Sequence, residues 1–161
     1  MLDERRIVAA VDDEDAIEAV SMEAARVSLA QDADTVIFVH VHDAHPIVSG
    51  LYRMSEVPGP LGETEDEGEA LLTQAEEVLH AVYAAQGCPA PTMRREIATG
   101  DPAVAIARIA GEYGASDIVL GARRPRTVRQ VFHRDVHAYL TTHSGAHLHV
   151  AALPPTSALP A

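Results

Sequence analysis

Short apolar runs alternate with longer amphipathic stretches along this chain, and the alternation predicts a parallel α/β fold. "IVAAV", Ile7 to Val11, is a brief β-branched run closed by "DDED", and it reads as a strand buried on both faces. The acids then open a helix in which Ile17, Val20, Ala24 and Val27 recur at helical spacing until about Gln31. "TVIFVHV", Thr35 to Val41, is a second strand, again too apolar to be half exposed. Strand, helix, strand is the opening of an α/β architecture.

Between His42 and Gly68 the pattern fails. Pro46, Pro58, Pro60 and several glycines there predict a long surface connection. Periodicity resumes with Leu72, Ala75, Leu79 and Val82 on one stripe, which should stop near Gln86-Gly87, where glycine suits the left-handed end of a helix. "TMRREIA" from Thr92 is a third strand, less apolar and therefore expected near a sheet edge. The sharpest boundary is Asp101-Pro102, an N-cap followed by a proline that has no amide to lose, after which Ala103, Ile106 and Ala110 repeat until Gly114. "DIVLG" gives strand four and runs into Gly121. Asp135 then caps a short helix with Val136, Tyr139 and Leu140 on its stripe, "HLHVAAL" from His147 is the last strand, and "PPTSALPA" reads as a frayed tail. The expected organisation is one domain over residues 1–153, a long connection at about 42–68 and a tail at 154–161. Five strands separated by helices imply right-handed crossovers and a doubly wound sheet. Its site belongs in the crevice at the carboxyl ends of the central strands, where Asp12, Val41 and Gly121 would meet.

Composition narrows the functions this frame can serve. A formal charge of −12 argues against nucleic acid or an anionic membrane as the main partner. All 12 basic residues are Arg, which removes the Walker A lysine and any Schiff-base lysine. Cys88 is the single cysteine, so no internal disulfide or thiolate cluster can form, and a reducing, cytoplasmic setting is the expectation. No apolar stretch reaches the length needed to cross a bilayer. Nine histidines invite a metal hypothesis, with His40 and His42 on one strand face, His147 and His149 at the same spacing, and His133 and His137 four apart. No HExxH or paired Cys/His signature accompanies them, so no metal site is expected. No Ser, Cys or Thr nucleophile has a recognisable partner arrangement either, and no catalysis is expected.

"IVAAVDDED" with its strand-end Asp12, "VIFVHVHD" with His40, "GDPAVAIARIAGEYGASDIVLGAR" and the closing "HSGAHLHVAAL" together resemble the universal stress protein family, in the small α/β fold related to electron-transfer flavoproteins. That resemblance implies a strand order of 3-2-1-4-5 with helices on both faces, and a homodimer commonly built on the last strand, here residues 147–152. In many members it also implies an ATP held at the carboxyl ends of strands one and four. A histidine of the last strand that faced its dimer mate would weaken the interface on protonation, near a reference pKa of about 6.5.

The family's nucleotide loop runs Gly, two residues, Gly, nine residues, then Gly with Ser or Thr. Laid on this chain it gives Gly121, then Arg124, then Arg134-Asp135, so only the first position matches. Glycine reaches left-handed dihedrals that cost other residues roughly 1–2 kcal/mol. Asp135 can still cap a helix but would face a polyanion. The arginines of this stretch, Arg123, Arg124, Arg126, Arg129 and Arg134, read as a side-chain grip on phosphate, an interaction face or a solvated loop. Asp12 reads as a ligand to base or ribose, or as a helix cap shared with Asp13, and Val41 as packing at the site edge. The expected function is therefore a non-catalytic, stress-associated regulatory or interaction protein with an as yet unidentified protein partner and no ATP bound in the usual mode. The alternative is an adenine-nucleotide module holding ATP, AMP or a cyclic nucleotide, with Asp12, Val41, Gly121, Arg123, Arg124, Arg134 and Asp135 as its site.

Overall fold

The computed structural model describes residues 3–42, 65–122 and 135–152. Its elements run β1 (Arg6–Ala10), α1 (Glu14–Gln31), β2 (Thr35–His42), α2 (Glu65–Ala85), β3 (Thr92–Thr99), α3 (Pro102–Tyr113), β4 (Asp117–Gly121), α4 (Val136–His143) and β5 (His147–Ala151). All four strand pairs are parallel, in the order β3-β2-β1-β4-β5. The doubly wound sheet read from the alternation and the strand order implied by the resemblance are both present.

Alternate residues of each strand point to opposite faces, which explains the near-continuous apolar runs. Ile7, Ala9, Phe38 and Val119 pack into one core with Ile17, Val20, Ala24 and Val27 of α1 and Leu72, Ala75 and Leu79 of α2. Val8, Ile37, Val39, Ile118 and Leu120 enter a second core with Ala103, Ile106 and Ala110 of α3 and Val136 and Leu140 of α4. The helical stripes expected from the sequence are thus the faces that are buried. Across the first core, Ser28 Oγ lies 3.0 Å from the Ala25 carbonyl and 2.7 Å from Tyr83 Oη. A carbonyl can only accept, so the serine proton goes to Ala25 and Tyr83 donates to Ser28, tying α1 to α2.

Helix ends follow local chemistry. Asp13, Asp101 and Asp135 are N-caps, Pro102 opens α3, and α3 closes on Gly114 with φ of 61°. One boundary differs from expectation. The connection was to run to Gly68, but α2 begins at Glu65 and Gly68 lies buried inside it, because the acids before Gly68 favour a helix's positive end. Residues 43–64 of that connection and the tail at 154–161 lie outside the described residues.

The two sheet edges are treated differently. On β3, Arg95 donates two bonds to Glu76, at 2.9 and 2.8 Å, and one to Glu69 at 3.3 Å, so charge covers the edge and ties it to α2. On β5, Val150 is 48% exposed, while His149 turns inward. Its Nε2 donates to Oδ1 of Asp117 at 2.7 Å, beside Gln31 Nε2 at 2.8 Å and with Ser116 Oγ on the other carboxylate oxygen at 2.6 Å. Burial by itself pushes the Asp117 carboxyl up, but the hydrogen bonds from Ser116, His149 and Gln31 outweigh it and hold the pKa below the ordinary value. The His149 imidazole thus faces a carboxylate of its own chain.

Candidate functional site

In a parallel sheet each helix follows its strand, so helix N-termini and strand carboxyl ends gather on one edge of the molecule. Ala10 pairs with Leu120 and with Val39, which brings Asp12, Val41 and Gly121 to that edge around the central β1. Val41 is half-buried at the margin of the second core, and Gly121 pairs with Ala151 at the end of β4. Arg123, Arg124 and Arg134 lie outside the described residues, so the geometry of the site is that of its sheet and helix ends.

The chain at Asp12 is held from both sides. The Val11 amide donates to the Val39 carbonyl at 2.8 Å, and the Val11 carbonyl receives His40 Nδ1 at 2.8 Å. One residue beyond Asp12, the Asp13 carboxylate accepts from the Ala16 amide at 3.0 Å. The capping alternative weighed for Asp12 therefore falls to Asp13, while Asp12 itself is exposed at the sheet edge.

The starts of α3 and α4 at this edge repeat the device. Asp101 Oδ1 accepts from the amides of Ala103 at 2.9 Å and Val104 at 3.2 Å, and Asp135 Oδ1 accepts from Ala138 at 3.2 Å. Each cap takes amides that would otherwise be the positive, donor-rich end of a helix. With Asp12, four carboxylates lie at the strand carboxyl-end edge of the sheet. Each cap engages only one or two of the free amides of its helix.

His40 has contacts that the sequence did not disclose. It is 1% exposed, it orders the turn that carries Asp12, and its ring packs edge-on to His42 with centroids 5.0 Å apart. The spacing of His40 and His42 put both on one strand face but could not name Val11 as a partner. Among the described residues no group of three or more His, Cys, Asp or Glu is placed to hold a metal ion, and no helix is long and apolar enough to cross a membrane.

A parallel sheet of order β3-β2-β1-β4-β5 with helices on both faces is a doubly wound α/β fold, in which ligand sites gather at the strand carboxyl ends. The sequence model of the Universal stress protein family matches residues 4–151, and the chain belongs to that family. No curated protein matches it. Among solved structures, a universal stress protein in complex with cAMP is 16% identical, with a TM-score of 0.61 over 94% of this chain and 98% of the other. The universal stress protein UspA from Lactobacillus plantarum is 20% identical, with a TM-score of 0.54 over 94% and 99%. That from Archaeoglobus fulgidus in complex with dAMP is 18% identical, with a TM-score of 0.56 over 96% and 100%. At these identities the likeness establishes the fold.

Proposed function

We propose that this universal stress protein is a non-catalytic, stress-associated regulatory protein that works as a homodimer built on β5 and does not hold ATP in the family's usual triphosphate mode. The observation that carries the reading is the carboxylate at the N-terminus of each of α1, α3 and α4, with Asp135 at the position where the family's loop closes on a hydroxyl. A triphosphate brings up to four negative charges to an edge already lined by acids on a chain of net charge −12. Like charges brought together in partly desolvated surroundings repel, which counts against a triphosphate in this reading.

A second reading is favoured by a specific observation: two relatives of the same fold were solved with cAMP and with dAMP. An adenine mononucleotide carries a single phosphate and asks little of the loop, and in this reading Asp12 would meet its base or ribose with Val41 packing at the site edge. Native mass spectrometry of protein purified without added ligand tests both readings. The first expects a dimer mass with no adduct, the second an adduct of mononucleotide size, and an adduct of ATP size would overturn the first reading.

A further inference from the structure

We propose that His40 is a positioning residue for the candidate pocket, fixing the Val11–Asp12 peptide and coupling it to the first turns of α2; its effect on a ligand rests on the adenine-mononucleotide reading, whereas its effect on Asp12 does not. A backbone carbonyl can only accept, so the 2.8 Å contact between His40 Nδ1 and the Val11 oxygen requires the proton on Nδ1. Val11 is held by β2 twice, through its amide to Val39 and through its carbonyl to His40. No cis peptide occurs among the described residues. In a trans unit the carbonyl and the following amide point in opposite directions, so turning the Val11 oxygen toward His40 turns the Asp12 N–H away from β2. Asp13 is then fixed by capping α1. Asp12 lies between two anchored neighbours, and the imidazole sets one of them.

The ring is itself held from α2. A Cβ at Gly68 would stand 3.1 Å from Cδ2 of His40 and 3.3 Å from Cε1 and Nε2 of His42, closer than side chains pack, so glycine at this helical position lets α2 close onto both rings. His42, edge-on at 87°, closes a further side. The path from Gly68 through His40 and Val11 to Asp12 is a run of direct contacts with no loose member, and a displacement of α2 reaches the pocket along it. A histidine that merely filled the core would alter stability when replaced and leave Asp12 where it was.

His40→Asn keeps a donor at the place of Nδ1–H, His40→Leu keeps volume without it, and Gly68→Ala pushes on the ring from outside the pocket. Each is examined by denaturant unfolding, by the amide resonance and exchange rate of Asp12, and by calorimetric titration with AMP and with cAMP. The expected result is a folded Leu variant with a shifted, faster-exchanging Asp12 amide and affinity for the mononucleotide lower by about tenfold. Asn should restore both to near parental values, and Gly68→Ala should move the Asp12 resonance in the direction of the Leu variant. If the parent binds neither nucleotide, the ligand reading falls while the Asp12 resonance still decides the positioning role. Should the Leu variant fail to fold, an Asn variant with a parental Asp12 amide and a Gly68→Ala variant with a displaced one uphold the inference. An Asp12 amide indifferent to the Leu substitution, or to Gly68→Ala, or equally disturbed by Asn and Leu, would overturn it.

Discussion

Asp135 combines a legible and a consequential role in one side chain. Its place before "VHAYL" predicted the cap, and the carboxylate accepts the Ala138 amide. Asp135→Ala should lower stability by roughly 0.5–2 kcal/mol and Asp135→Ser by little, since either oxygen caps; chemical denaturation of both variants decides, and an Ala variant as stable as the parent would count against the cap. Asp117 is the opposite case. Nothing in "ASDIVLG" announces an acid that is 1% exposed and satisfied by Gln31, Ser116 and His149, because two of its partners arrive from 86 and 32 residues away. Its folded pKa is depressed, so its contribution is fully present above the unfolded value of about 3.9 and is lost as pH falls through the lower folded value. Asp117→Ala should therefore cost about 1–3 kcal/mol near neutrality, where three donors lose their acceptor, and the gap between variant and parent should close under acid. Unfolding curves collected from neutral pH downward give that difference directly, and a constant gap would remove the linkage. Caps are written in adjacent residues, whereas buried networks are written in the fold.

At the scale of elements, strands and helical stripes were legible because burial on both sheet faces demands near-continuous apolar runs and each helix must present one covered side. The start of α2 was misplaced for a physical reason: Gly68 has turn character in sequence, yet it serves here as a gap that admits His40 and His42. The join between α1 and α2 was not legible at all. Tyr83→Phe removes the donor to Ser28 and should cost about 0.5–1.5 kcal/mol with no change in secondary structure by circular dichroism; parental stability would show that the hydroxyl pair contributes nothing. On β5, Val150 is exposed on an edge strand, and the proposed dimer needs that edge. Val150→Asp should yield monomers in sedimentation velocity, while the parent should remain a dimer from about pH 8 to about 5.5, because the His149 imidazole is hydrogen-bonded to Asp117 of its own chain. A parent that is monomeric at neutral pH, or one that dissociates on acidification, would contradict the respective half of this expectation.

For the molecule as a whole, order and spacing of motifs carried the family, and the match over residues 4–151 bears that out. The candidate site was legible only as a location. Alternation placed Asp12, Val41 and Gly121 at the carboxyl edge, but the carboxylates gathered there emerge only when α1 on one face of the sheet and α3 and α4 on the other are seen to start at that same edge. In the proposed reading, that concentration turns a triphosphate away from this edge. Calorimetric titration of nucleotide-free protein with Mg-ATP, run beside AMP and cAMP, tests the claim most directly. The account predicts no saturable heat with Mg-ATP in the low micromolar range, whatever the mononucleotides do; a one-to-one isotherm with Mg-ATP in that range would contradict it.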